Sequence, residues 1–483
     1  MYFEQFYLTC LAHASYMIGS GGEAAVVDPQ RDVDIYLEAA EEQNLKIRCI
    51  FETHLHADFV SGHKELAART GAKIYFGAEA HAAFPHVALR HGDEVRMGRL
   101  RLRALETPGH TPESICLLIF DEEKSSADAG VQPWAVLTGD TLFIGDVGRP
   151  DLSASHTPQQ LAGLLYDSLH GKLLNLPDSV LVYPAHGAGS LCGRSMRAEK
   201  SSTIGTERLT NYALQIASRE EFIRQLTTNL PARPEYFRED AEINRSGAAM
   251  LGELTPLRAL SAGEVQKLLS EGVYVLDVRP GDQFAAGHVP GSINIALSGQ
   301  FASWAGSLLG VHSFPVLVAE TDAQLEEARM RLARVGIEEL RGHLGGGIEG
   351  WKAAGLPLLA TPQISVKELS ALLSGNGSRD GEAAIMVIDV RREGEWRAGH
   401  IAQAEWKPLD LFPRELPDID KSRKVAVHCK SGYRSMIACS FLERAGHRNV
   451  INVTGGFDAW EATGLPESSS QSNSSQLSVL SSQ

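Results

Sequence analysis

The sequence predicts a multidomain chain of the α/β class, and three observations predict it. A length of 483 residues, at roughly 150 residues per domain, suggests about three domains. In residues 1 to about 250, short apolar runs alternate with amphipathic stretches. The second half then contains one long pattern twice.

In the first part the runs AAVVDP, RCIFETH, KIYFG, SICLLIF, WAVLTGD and VLVYPAH read as strands. DVDIYLEAAEEQN and SGHKELAART carry helical spacing between them. In four cases a His or Asp falls at or just past the end of a run, where α/β folds place reactive groups. Further on, VYVLDVRPGDQFAAGHVPGSINI recurs as IMVIDVRREGEWRAGHIAQAEWKPL, and GHLGGGIEGWKAAGLPL recurs as NVTGGFDAWEATGLPE. Asp277 thereby pairs with Asp389, His288 with His400 and Trp351 with Trp460. Two units are too few for a solenoid, so they read as two copies of one small α/β domain joined near TPQIS. The expected division is residues 1–252, 253–360 and 361–467, followed by a Ser/Gln-rich tail, 468–483, expected to be disordered.

Lys plus Arg number 45 and Asp plus Glu 60, for a net charge of −15. That argues against a nucleic-acid partner. No stretch reaches the roughly 18 apolar residues of a membrane span. The six cysteines form no CxxC pair, and the N-terminal residues lack a basic segment followed by an apolar one. Free thiols in a reducing compartment, with the cytoplasm as location, are the expectation.

Thr53-His54-Leu55-His56-Ala57-Asp58 follows the run RCIFE; His110, Asp140 and His186 each follow a later run. One histidine in a loop is most often a surface or capping group. Four such signals at successive strand ends are hard to explain by structure alone. HxHxD followed by a lone His, a lone Asp and a lone His resembles the metallo-β-lactamase superfamily over about half the chain. The resemblance implies an αββα sandwich and a metal site. Many members have His after the Asp of HxHxD, completing a second metal site; here that residue is Phe59, which cannot ligate. One metal held by His54, His110 and Asp140 is therefore expected. Two imidazoles and a carboxylate with open positions form the facial triad of non-haem Fe(II) oxygenases. His56, Asp58 and His186 become groups that orient ligands or substrate. TLFIGDVGRPDL after Asp140 resembles persulfide dioxygenases, which oxidise the outer sulfur of a persulfide to sulfite with Fe(II) and O₂. Arg149 is a candidate anion contact for the thiol carrier or a support behind the metal ligands, or else an ordinary ion-pair partner of Asp146 or Asp151. Cys192, in the glycine-rich GAGSLCG, is expected near the metal cleft as a catalytic candidate; an inert core thiol is the alternative.

Near the C-terminus KVAVHC ends at Cys429 and continues Lys430-Ser431-Gly432-Tyr433-Arg434 into a helical stretch. A cysteine at a strand end, cradled by backbone N–H groups and a helix N-terminus, favours the nucleophilic thiolate. Arg434 can stabilise that thiolate or an anion such as sulfite or thiosulfate, and Lys430, Ser431, Gly432 and Tyr433 line the substrate position. With the flanking IDVR, AGHI and GGFDAW, residues 363–467 resemble rhodaneses. A cysteine phosphatase would have five residues between Cys and Arg; here there are four. Aligning KVAVHC with PVLVAE puts Glu320 at the nucleophile position of the first copy, which then reads as a pseudo-rhodanese serving spacing or assembly. FASWAGSLLGVHSF, at 301–314, would supply apolar contacts to a neighbouring unit or cover its own core.

The expected chemistry is Fe(II)- and O₂-dependent oxidation of low-molecular-weight persulfides, coupled to sulfur transfer that gives or uses thiosulfate. The expected partners are persulfides, O₂ and sulfite or thiosulfate, with no nucleic acid and no membrane, in a homo-oligomer. A zinc thioester hydrolase of the glyoxalase type fused to a sulfurtransferase is the rival. A non-catalytic scaffold is a second.

Overall fold

The computed structural model describes residues 1–122, 132–153, 155–230, 232–374 and 385–468. Its contacts divide into two units: Met1–Leu254 with Leu332–Gly336, and Thr255–Arg331 with Ile337–Gln483.

The first unit is built on two six-stranded sheets among the described residues. One runs in the order Tyr2–Leu8, His13–Ser20, Glu23–Val27, Lys46–Phe51, Lys73–Gly77, Val87–Leu89. The other runs Ser202–Thr203, Leu181–Pro184, Ala135–Gly139, Ile115–Asp121, Leu100–Glu106, Glu94–Met97. Period-two alternation assigns each strand's side chains to two different cores. Tyr16, Ile18, Val27 and Phe51 meet Leu102, Ile115, Leu117 and Leu137 between the sheets. Their neighbours Met17, Val26 and Ile50 face the helices Asp34–Glu42 and His63–Thr70 through Tyr36, Ala39 and Leu66. On the far side Leu118, Val136 and Val182 meet Leu165, Leu169, Phe222 and Leu226 of the helices Pro158–Gly171 and Arg219–Thr227. Because both faces are covered, central strands are apolar along their whole length rather than alternating. This is an αββα sandwich.

Chain direction then fixes where chemistry can sit. Glu23–Val27 and Lys46–Phe51 are parallel, so Asp28 and the segment 52–58 leave the sheet at one edge. Ala135–Gly139 and Leu181–Pro184 are also parallel, which brings Asp140 and His186 out together. A bridge between His13 and His186 ties the two edges to each other.

The second unit holds two five-stranded sheets among the described residues, with the same strand order in each. The first runs Ala259–Leu260, Gly342–Leu344, Val316–Val318, Val275–Asp277, Ile293–Asn294. The second runs Gln363–Ser365, Val450–Thr454, Val425–His428, Met386–Asp389, Ala404–Trp406. The repeat read in the sequence reappears as repeated contacts. Asp277 takes a fork from Arg279 as Asp389 does from Arg391. His288 stacks on Phe284 at 3.8 Å as His400 does on Trp396 at 3.6 Å. Trp351 and Trp460 each donate Nε1–H to a proline carbonyl six residues on.

The segment 301–314 forms the helix Phe301–Leu309, whose Phe301, Ala302, Trp304, Ala305 and Leu308 are all buried within the chain. Its apolar face is therefore already covered. Of the expected tail, Ser468 closes the short strand Glu467–Ser468; residues 469–483 lie outside the described residues. No described helix is long and apolar enough to cross a membrane.

Candidate metal centre and cysteine loop

His54, His110 and Asp140 converge at the sandwich edge, each fully buried, with one ligand atom apiece in a group no more than 4.8 Å across. Asp140 Oδ2 lies 3.4 Å from His110 Nε2 and 3.9 Å from His54 Nε2. The hydrogen bonds around them decide which atoms stay bare. Thr53 Oγ1–H donates to Asp28 Oδ2 at 2.9 Å, so its oxygen can only accept from His54 Nδ1, 3.0 Å away. His110 Nδ1 faces the carbonyl of Arg149 at 2.9 Å, and a carbonyl only accepts. Both imidazoles thus carry their proton on Nδ1 and present the Nε2 lone pair. Asp140 Oδ1 is held by His186 Nδ1 at 2.7 Å. What remains without a hydrogen bond is His54 Nε2, His110 Nε2 and Asp140 Oδ2. Orphaned buried polar atoms are costly, about 1–3 kcal/mol each, and three converging on one point fit a cation.

The electrostatics agree. Burial, with the neighbouring His56, holds His54 well below the ordinary imidazole range, and burial lowers His110. Burial would raise Asp140, but His186, His110 and His54 outweigh it and keep its carboxyl well below the usual range. Two neutral imidazoles and a carboxylate are the state a metal needs.

The remaining members of the motif pair with carboxylates around the triad. His186 lies between Asp140 and Asp58, with Nε2 2.9 Å from Asp58 Oδ2; these carboxylates overcome burial and raise it well above its ordinary value. His56 turns away from the triad, 3.1 Å from Asp28 and 3.3 Å from Glu52; against burial, they push it up to about 10. Phe59 is fully buried and tilts against His13 and His56, at 4.1 and 4.4 Å between ring centroids. Cys192 does lie at the cleft, grouped with Asp58 and His186. Burial, then Asp58 and Asp140, push its thiol well above the ordinary range, so it stands protonated. The Arg149 side chain forks onto Asp151 at 2.7 and 2.9 Å and donates to the Leu191 carbonyl. The ion-pair alternative is what the geometry shows, and the residue's link to the triad is its backbone oxygen, which faces His110 Nδ1.

Four residues here escaped the sequence reading. Asp28 and Thr53 set the His54 tautomer, and Glu52 with His63 completes the network around His56. Asp28 follows the run AAVV, so the strand-end signal was present there.

In the second unit Cys429 directly follows the strand Val425–His428, and its Sγ accepts the Gly432 N–H at 3.1 Å. The loop is clamped from behind: Phe457 N–H donates to the Cys429 carbonyl and Asp458 N–H to that of Lys430. Gly456, at φ +56°, presses so close that a Cβ there would stand 2.5 Å from both carbonyls. Gly432, at φ +112°, turns the chain into the helix Tyr433–Arg444. Lys430 and Ser431 are exposed. Arg434 does not point freely at the loop: both its terminal nitrogens lie 2.7 Å from Glu395, a partner the sequence reading missed. Tyr433 turns away from the loop, and its hydroxyl donates to the carbonyl of Ala296 in the first copy. In that copy the strand Val316–Val318 is followed by Ala319, the exposed Glu320, Thr321 and then a helix from Asp322.

Comparison with known proteins agrees with this anatomy. The model of the metallo-beta-lactamase superfamily matches residues 8–123, and that of the rhodanese-like domain matches 261–354 and 365–463. Persulfide dioxygenase ETHE1, mitochondrial, of Mus musculus is 30% identical over 225 residues, 45% of this chain and 77% of that protein. A hydroxyacylglutathione hydrolase of Anaeromyxobacter dehalogenans is 34% identical over 175 residues, 36% of this chain and 60% of that one. A sulfurtransferase of Allochromatium vinosum is 38% identical over 82 residues, 17% of this chain and 77% of its own. A crystal structure of a metallo-beta-lactamase from Staphylococcus aureus superposes with a TM-score of 0.63 at 32% identity, over 71% of this chain and 98% of that one. A fold of this kind implies a bound metal, and the triad is its candidate site. The chain belongs to the persulfide dioxygenases of the metallo-β-lactamase superfamily, in a form that also carries two rhodanese-like domains.

Proposed function

We propose that the chain oxidises low-molecular-weight persulfides to sulfite at one Fe(II) held by His54, His110 and Asp140, and that Cys429 moves sulfane sulfur to or from that sulfite. The observation that carries this reading is the set of three bare buried atoms, two nitrogens and one oxygen, at one point. Phe59 adds no donor beside Asp58; Asp58, His186 and Cys192 form a second group of potential ligands, but its Asp58 and His186 pair with each other at 2.9 Å, whereas the triad keeps all three of its donor atoms bare. In the overall reaction a persulfide, dioxygen and water give the thiol and sulfite; the outer sulfur is oxidised and dioxygen reduced. Bound at the triad, Fe(II) would supply the binding and activation of dioxygen, while the four electrons that reduce it come from the persulfide's outer sulfur. The chain's own residues do the positioning. Thr53 and the Arg149 carbonyl hold the imidazole protons on Nδ1, and His186 orients Asp140. Cys192 sits at the wall of the cleft as a protonated thiol and a candidate participant in sulfur handling.

In the second step sulfane sulfur carried on Cys429 passes to sulfite and gives thiosulfate, or the reverse. Glu395 fixes Arg434 beside the loop, so its charge acts from a set position. Division of the chain at 252, 360 and 467 accompanies this reading, with the first rhodanese copy catalytically silent. So do a homo-oligomeric state and a reducing, cytoplasmic setting, the last supported by six free cysteines.

The test is oxygen uptake with a panel of persulfides, with sulfite and thiosulfate measured as products. The expected result is persulfide-dependent uptake with one sulfite equivalent per O₂. Thioester hydrolysis without O₂ uptake would instead favour the zinc hydrolase reading that the hydroxyacylglutathione hydrolase relative suggests.

A further inference from the structure

Beside the Cys429 loop, within the second unit, lies a cavity of about 220 Å³ whose walls come from both rhodanese copies. Gly432, whose N–H donates to Cys429 Sγ, lines it on the catalytic side together with Gln363 and Asn452. The first copy contributes Asp282, Asn294 and Ser298. The two walls are held in register by side chains of the catalytic helix. Ser440 Oγ accepts the Asn294 N–H, Tyr433 donates to the Ala296 carbonyl, and Arg444 donates to the Gly291 and Gly272 carbonyls.

The wall from the silent copy is rich in acceptors. Asn294 donates its amide hydrogens to the carbonyls of Asp277 and Arg279, so what it can offer a ligand is its oxygen. Ser298 adds a hydroxyl, and Asp282 is the only formal charge in the lining. An amide oxygen, a hydroxyl and a carboxylate together suit a ligand with N–H donors and a positive charge. The volume suits a single amino-acid-sized body. Sulfite and thiosulfate, being anions, have no reason to settle against Asp282.

We infer that this cavity docks the thiol that exchanges sulfur with Cys429, that the thiol bears a free ammonium group, and that Asp282 of the silent copy selects it. The inference rests on the sulfurtransferase reading of Cys429. In the exchange the incoming thiolate attacks the outer sulfur of the Cys429 persulfide. A new S–S bond forms to the thiol, the old one breaks, and its electron pair returns to Cys429 Sγ. One thiolate is consumed and one released, so no oxidant or reductant is required. The first copy, without its own nucleophile, thus acts as a specificity wall.

The test loads the full chain from thiosulfate and compares sulfur transfer to L-cysteine and to N-acetyl-L-cysteine, the same thiol without the ammonium. Cyanide serves as the acceptor that reports whether Cys429 turns over at all. Wild type should prefer cysteine. Asp282→Asn should reduce the ratio of the two kcat/KM values about twofold to fivefold, the scale of an ion pair made by the exposed Asp282. Asp282→Lys should invert it, with the change carried by KM for cysteine. A ratio identical in all three proteins overturns the inference, since a merely structural Asp282 would depress both thiols alike. A wild-type chain that fails with cyanide overturns the sulfurtransferase reading and this inference with it. A chain active with cyanide but blind to Asp282 overturns this inference alone.

Discussion

Thr53 shows how little a metal site shares with its visible ligands. Its hydroxyl oxygen accepts from His54 Nδ1 and is itself held in place by Asp28. Thr53→Val keeps the shape and removes the acceptor, so the imidazole can rotate or change tautomer. Metal affinity should fall about 10–100-fold, the usual cost of losing such a support, while Thr53→Ser should retain it. Competition with a chelator measures both. Equal affinity in the valine variant would show that packing alone orients His54. Arg434 is a second case. If its role is to be placed by Glu395, then Arg434→Lys, Glu395→Gln and the double variant should all lose sulfur transfer to a similar degree. Losses that add in the double variant would show two separate roles. The candidate ligands could be picked out in the sequence because each stands at the end of an apolar run. Their supports were not. Asp28 and Thr53 are 25 positions apart, Arg434 and Glu395 are 39 apart, and the acceptor for His110 is a backbone carbonyl that no side chain announces.

Among elements, the contrast between the two strand–loop–helix units carries most. The catalytic copy places four residues, 429–432, between strand and helix; the first copy has three, 319–321. Counted from the equivalent positions Cys429 and Glu320, three residues precede the helix in one copy and one in the other. The shorter connection lacks room for the turn that brings the Gly432 N–H over the sulfur. Glu320→Cys should therefore restore no sulfur transfer when assayed in a Cys429→Ser background, read by cyanide-dependent thiocyanate release. Thiocyanate formation by that double variant would mean that loop length is not limiting. In the same loop Gly432→Ala forces a side chain into a left-handed conformation, at a cost on the order of 1–3 kcal/mol, and should lower transfer without changing O₂ uptake. The strands and the pairing of Asp277, His288 and Trp351 with Asp389, His400 and Trp460 were readable from pattern, because period and repeat are local properties. The different number of residues between the aligned position and the helix, three after Cys429 and one after Glu320, was not, since helix starts depend on hydrogen bonds that the aligned letters do not show.

For the whole molecule, the reading treats oxidation and sulfur transfer as two stations in one chain. Tethering raises the local concentration of sulfite at the second station without adding a contact. Cys429→Ser should leave persulfide-dependent O₂ uptake close to wild type and shift the sulfur product from thiosulfate to free sulfite. Loss of uptake in that variant with its metal intact would mean the stations are not independent. The central claim is that the triad of His54, His110 and Asp140 makes this chain an iron oxygenase rather than a hydrolase. The most direct measurement counts metal per chain in protein purified without oxygen, and then follows O₂ uptake on adding a persulfide. The expected result is about one iron per chain, uptake in proportion to iron, and loss of both in His110→Ala. Stoichiometric zinc, with thioester hydrolysis and no O₂ uptake, would contradict it.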